Sequence, residues 1–307
     1  MAKVINIFEI LKYGMRWLPL IVVIVIATLS AGCAQPKVQS VEMSWGEVND
    51  EYTEIVSSIE VNNPYPISIP LSDVEVEIFM NGVLMGHGNA VGDTTISPPS
   101  DTLKLSIKLL NDRLVDWWVS HIENGEETVM KIKTSLIFSI FGYKLSIPIE
   151  NSNTFQTTFL SSISPEGMSL SIGGIKAIEV KDAKLRWGDV DRSRTQIIVS
   201  AVVKNNLPVP IPVKFMEYEI TMNGIRMGEG RVVSDTVIKP MKQDTVEFVM
   251  EIDNTKIPDW WVSHVKNGEK TTVSIKAKVG LDVQGKEYSV DLYTYSYDFT
   301  TDLLTSM

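Results

Sequence analysis

Apolar and polar residues alternate over long stretches of this chain. Val74, Val76, Ile78 and Met80 are separated by acids and Phe79, and Leu103, Leu105, Ile107 and Leu109 by Lys104, Ser106 and Lys108. Leu145, Ile147 and Ile149 keep the same spacing, as do Val246, Phe248 and Met250. A period of two puts one side of a strand in the core and the other in water, the mark of half-buried antiparallel strands. Asn81-Gly82 and Asn223-Gly224 fall between such runs and predict tight hairpins, because both central residues of that turn need positive φ. The alternation breaks twice. Leu114, Trp118 and Ile122 recur every four residues before Asn124-Gly125, and Ile257, Trp261 and Val265 do so before Asn267-Gly268. Each predicts a short amphipathic helix ended by a left-handed Asn or Gly, with Pro258 at an early position where its missing N–H costs nothing. Many short strands and one helix per unit predict a mainly β chain of antiparallel sandwiches.

The chain is written twice. Trp45-Gly46-Glu47-Val48 returns as Trp187-Gly188-Asp189-Val190, and Met80-Asn81-Gly82 as Met222-Asn223-Gly224. Asp116-Trp117-Trp118-Val119-Ser120-His121 returns unchanged as Asp259-Trp260-Trp261-Val262-Ser263-His264, and Asn124-Gly125-Glu126 as Asn267-Gly268-Glu269. Asn62-Asn63 pairs with Asn205-Asn206 by the same reading, each followed by prolines. Copies this long are tandem domains, not solenoid repeats of 20–50 residues. The expected boundaries are 38–160 and 176–301, with the Ser- and Gly-containing stretch 161–175 as linker.

Residues 1–33 have another character. Lys3, Lys12 and Arg16 precede an apolar run from Trp17 to Leu29, which fits a signal-peptide core and is short for a membrane span of roughly 20 residues. Small residues then lead to Cys33, the only cysteine. This resembles a lipobox, with Ser30 where an aliphatic residue is usual; the other reading is an uncleaved hydrophobic anchor. Both place the body outside a cell membrane, with the membrane as partner through the N-terminal lipid or hydrophobic segment. Once the three basic residues and one acid of residues 1–32 are set aside, 25 basic and 37 acidic residues remain, a net charge of −12. Such a body is no nucleic-acid binder, and is expected to stand off from an anionic bilayer on its tether.

The Asn63-Pro64-Tyr65-Pro66-Ile67 stretch, with Asn206-Leu207-Pro208-Val209-Pro210 in the second copy, and one helix in an all-β unit, together resemble the water-stress and hypersensitive-response (WHy) domain of the LEA14-like late-embryogenesis-abundant proteins. The likeness covers almost all of the chain after Cys33. It implies fibronectin-III-like or immunoglobulin-like sandwiches, no catalytic residue, and a part in tolerance of desiccation. The chain departs from the plant members, which are single domains without an export signal.

Candidate sites are few. The motif residues Asn63, Pro64, Pro66, Asn206, Pro208 and Pro210 are expected where a strand leaves its sheet, since proline cannot donate to a ladder. Trp117, Trp118, Trp260 and Trp261 are expected as core anchors of the helices. His121 and His264 stand one per domain without further metal ligands, so no metal, cofactor or catalytic group is expected. Glu126-Glu127 and Asp189-Val190-Asp191 read as acids on wet faces. The function expected is non-enzymatic protection in water stress; the alternative is an envelope module that binds a protein partner or an apolar ligand through its sandwiches.

Overall fold

The structure, a computed structural model, describes residues 35–304 apart from 93, 141, 164–168, 173 and 235. The N-terminal hydrophobic signal helix expected from residues 1–33, and the lipidation expected at Cys33, therefore fall outside the described residues. Domain 1 comprises β1 (Lys37–Val48), β2 (Tyr52–Asn62), β3 (Ile69–Met80), β4 (Val83–Val91), β5 (Thr95–Ile96), β6 (Ser100–Leu110), α1 (Leu114–Glu123), β7 (Glu127–Ile140) and β8 (Tyr143–Gln156). Domain 2 repeats them as β10 (Ile175–Val190), β11 (Arg194–Asn205), β12 (Ile211–Met222), β13 (Ile225–Val233), β14 (Val237–Ile238), β15 (Gln243–Asp253), α2 (Ile257–Lys266), β16 (Lys270–Val283) and β17 (Lys286–Thr300). Among the described residues all pairings are antiparallel, and two short α-helices interrupt a mainly β fold. Part of the linker stretch is itself a strand, β9 (Ser169–Ile172), paired with the start of β10.

The alternation reads directly onto burial. Leu103, Leu105, Ile107 and Leu109 are at most 1% exposed, and the lysines between them face water. Both Asn-Gly pairs have positive φ, 49° and 82° at Asn81-Gly82 and 51° and 78° at Asn223-Gly224, as the predicted hairpins require. Each helix begins with a 3₁₀ turn, at Asn111–Arg113 and Asn254–Lys256. At their ends Asn124 and Asn267 keep negative φ, and the left-handed pairs are Gly125-Glu126 and Gly268-Glu269.

One side chain separates the two sandwiches. In domain 1, β4 pairs with both β3 and β6, so the strands run continuously as β1-β2-β6-β4-β3-β7-β8. In domain 2 the corresponding ladder between β13 and β15 is missing, leaving two sheets, β15-β11-β10-β9 and β13-β12-β16-β17. Val76 of β3 is Tyr218 in β12 (both two residues before the Ile of the Ile-x-Met motif), and the Tyr218 hydroxyl accepts the Glu251 N–H at 2.9 Å. The ring lies where a Cβ on Gly230 would be, 2.7 Å away, so it wedges the strands apart.

The Asn motif has a different register from the one read in the sequence. Asn63 is 2% exposed; its amide donates to Ile67 O and Ile96 O, and its carbonyl accepts Tyr65 N–H. The residue that does this in domain 2 is Asn205, through Val209 O, Ile238 O and Leu207 N–H. Asn206, the expected partner, stands in the place of Pro64 and bonds Lys176 O. Local likeness of the proline stretch misled the alignment; the buried amide that ties two loops defines it. Pro64, Pro66, Pro208 and Pro210 are exposed at the loop ends of their domains. Tyr65 follows Asn63 with a buried hydroxyl that has no hydrogen-bond partner, and Leu207 takes its place in domain 2. Tyr65→Phe is therefore expected to raise stability by about 1 kcal/mol, since an unsatisfied buried hydroxyl is removed. Equilibrium urea unfolding measures it.

Candidate functional site at the joint between the domains

The helix end of each domain meets the helix end of the other. Trp117 and Trp260 stack across the joint with centroids 6.5 Å apart and planes 10° from parallel. Trp117 also meets Trp261 edge-on at 5.1 Å, and Trp118 meets Trp260 edge-on at 5.6 Å. All four indoles are at most 2% exposed. Offset and edge-on pairs of this kind add about 0.5–1.5 kcal/mol each beyond the area they bury. Each indole N–H has its own acceptor. Trp117 donates within its domain to Thr128 at 2.8 Å, and Trp260 to Thr271 at 2.9 Å. Trp118 and Trp261 donate across the joint, to Thr195 at 2.9 Å and Thr53 at 3.0 Å. Thr195 donates in turn to Asn254 and Thr53 to Asn111, the residues that open the 3₁₀ turns.

The contacts are reciprocal, so the two copies are arranged as a homodimer's subunits are around a two-fold axis, here within one chain. A second set extends the same symmetry. Glu126 is 7% exposed, so it is not the wet-face acid that the sequence suggested, and its counterpart Glu269 is 9% exposed. Glu126 accepts Thr157 Oγ1 at 2.8 Å, the N–H groups of Phe159 and Leu160 at 2.6 and 3.2 Å, and the Trp187 indole of domain 2 at 3.2 Å. Glu269 accepts Thr301 Oγ1, Leu303 N–H and the Trp45 indole of domain 1, at 3.0, 2.8 and 2.9 Å. Each carboxyl thus holds the segment that follows the last strand of its own domain and a tryptophan from the other. Those segments also cross over: Phe159 stacks on Trp187 at 5.6 Å and Tyr297 donates to Phe159 O, while Asn153 of β8 donates to Leu303 O.

The histidines complete the network. His121 touches Thr128 through Nδ1 at 2.8 Å and Thr157 through Nε2 at 3.0 Å. Thr157 already gives its proton to Glu126, so it accepts from Nε2–H; Thr128 accepts from Trp117 and donates to Nδ1. A neutral imidazole satisfies every bond in this chain, and a second proton would have no acceptor. Burial accordingly holds His121 down to about 4, against the opposing pull of a backbone hydrogen bond at Glu127. His264, set between Thr271 and Thr301, is held down to about 4 by burial. Among the described residues no three of His, Cys, Asp and Glu are grouped to hold a metal.

Domain 2 has one further feature, an apolar cavity of about 80 Å³ between its sheets with no polar lining. Ala183, Ala201, Val213, Val246, Val279 and Leu281 line it where domain 1 places the larger Val41, Ile59, Leu71, Leu103, Leu136 and Phe138. Phe248 and Met216 are larger than Leu105 and Val74 and refill only part of the space.

A family model described as late embryogenesis abundant protein, LEA_2, matches residues 58–153 and 201–292. The chain belongs to that family. Each LEA_2 segment starts within the second strand of a domain, so β1 and β10, with Trp45 and Trp187, precede the matched parts. An uncharacterized protein of Methanocaldococcus jannaschii is 27% identical over 125 residues, 39% of this chain and 70% of its own length. A crystal structure of a protein from Archaeoglobus fulgidus is 32% identical over 41% of this chain and all of its own, with a TM-score of 0.40. The solution structure of an Arabidopsis thaliana protein is 18% identical over 40% of this chain and 80% of its own, with a TM-score of 0.32. LEA_2 is not known as a family of enzymes.

Proposed function

We propose that this LEA_2 protein is a non-enzymatic protective body of the water-stress type, held outside a cell membrane by its N-terminal lipid or hydrophobic anchor. The observation that carries the reading is the LEA_2 match in both domains. Two physical features support it. The acids and histidines of the joint, Glu126, Glu269, His121 and His264, are held in hydrogen bonds with neighbouring threonines, indoles and backbone N–H groups. The body's net charge of −12 holds water and counterions and keeps neighbouring macromolecules apart as water is lost. A labile enzyme dried with the purified chain should keep more activity than with an equal mass of albumin. Equal retention would contradict the protective role.

The cavity in domain 2 favours a second reading, an envelope module that takes an apolar ligand. Natural interiors hold few voids larger than a water molecule, and a dry apolar void admits apolar guests. Ala201→Ile restores the side chain that domain 1 carries at Ile59. It is expected to raise stability by about 1 kcal/mol, part of the roughly 2 kcal/mol that a void of this volume costs. The same change should abolish binding of an apolar dye to the full chain. Dye binding unaffected by the substitution would rule the cavity out as its site.

A further inference from the structure

The end of domain 1 remote from the joint is fixed by strand register. Lys37 pairs with Asn62, Asn62 with Ser100, Ile69 with Ile96, and Ile140 with Tyr143 at the turn between β7 and β8. The loop Asn63–Ser68 belongs to this end and carries Pro64, Pro66 and Ile67. Ile67 is 53% exposed and Tyr143 is 75% exposed. Lys37 and Lys144 are exposed beside them, while the Asp101 carboxyl is engaged by the N–H groups of Ser97 and Thr102. In a body of net charge −12, this tip exposes Ile67 and Tyr143 with Lys37 and Lys144 close in the chain and register, alongside the carboxylates of Asp73 and Asp101.

The chain enters the fold at the same tip. Pro36 is already buried and Lys37 opens β1. Only Ala34 and Gln35 separate Cys33 from that buried proline, a reach of about 11 Å when fully extended. The headgroup zone of one leaflet is itself about 5–8 Å deep. A body tied to the bilayer at Cys33 has too short a leash to stand off as its net charge alone would lead it to. The surface it brings to the lipid is this tip.

We propose that the loop end of domain 1 bearing Ile67 and Tyr143 is a lipid-facing surface, seated in the headgroup region of the membrane that the N-terminal segment occupies. The inference rests on the tethered reading above. Ile67 enters the acyl boundary, Tyr143 takes the interfacial position that suits an apolar ring with a polar end, and Lys37 and Lys144 meet the phosphates. The matching end of domain 2 exposes Val233 at 76%, yet lies on the far side of the joint from the anchor.

That contrast supplies the test. The full chain is reconstituted into vesicles of phosphatidylethanolamine and phosphatidylglycerol, with photoreactive benzoylphenylalanine at position 67, 143 or 233. Lipid adducts at 67 and 143 at least tenfold above those at 233 are the expected result. A chain that floats with the vesicles but gives equal adducts at the three positions, or none at 67 and 143, overturns the lipid-facing tip and leaves the anchor standing. A chain that does not float overturns the anchor, and the tip with it.

Discussion

Glu126→Leu is expected to destabilise the protein by about 4 kcal/mol, more than any surface change. The carboxyl collects four donors, two of them backbone N–H groups of the segment that crosses over and one the indole of Trp187. Hydrogen bonds to a charged group contribute about 1.5–3 kcal/mol each, and leucine leaves the donors buried without acceptors. Glu126→Gln should cost about half as much, because one carboxyl oxygen becomes an N–H₂ that faces donors. The backbone sharpens the point. Glu126 has φ 67° and Glu269 has φ 59°, a left-handed conformation that suits glycine and costs other residues about 1 kcal/mol. Glu126→Gly removes that strain and is still expected to destabilise, since the side chain is what the position is for. Chemical unfolding of the three variants gives the order Leu worst, Gln milder and Gly between them.

Acid is expected to weaken the fold well above the carboxylate range. The ordinary histidine value is 6.5, whereas His121 and His264 are held at about 4. Above pH 6.5 neither the folded nor the unfolded chain carries the extra proton, and stability is full. Between pH 6.5 and 4 the unfolded chain takes up protons that the folded chain refuses, so stability falls with pH. Each imidazole accounts for about 3 kcal/mol across that window at 1.36 kcal/mol per pH unit. His121→Gln should remove about half of the slope and the double substitution with His264→Gln nearly all of it, whatever either does to stability at neutral pH. A slope that persists undiminished in the double variant would place the acid sensitivity elsewhere.

The strands, the hairpins and the two helices were legible because alternation, Asn-Gly pairs and fourfold spacing report which side of an element is buried. Burial is also all that they report. Glu126 follows an Asn-Gly pair and reads as a solvent-facing acid, although its recurrence as Glu269 after Asn267-Gly268 was the one signal of a shared task. Thr53 and Thr195 sit at buried positions of alternating strands where threonine and valine look alike to a pattern, and only the indole of the other domain shows why a hydroxyl is there. The register of Asn63 on Asn205 depends on loops far apart in sequence, so the nearby prolines drew the alignment one residue off. The cavity of domain 2 was invisible for a related reason: Ala201 and Ile59 are both apolar, and an alternation counts positions without weighing volumes. Val76 and Tyr218 likewise hide the wedge that splits one sheet into two.

The account turns on the two domains being one body, joined by indoles and carboxyls that each domain lends to the other. Scanning calorimetry of the full chain tests that most directly. A single transition whose calorimetric enthalpy equals its van't Hoff enthalpy is predicted, resolving into two when Glu126 and Glu269 are both replaced by leucine. Two independent transitions in the unaltered chain would contradict it.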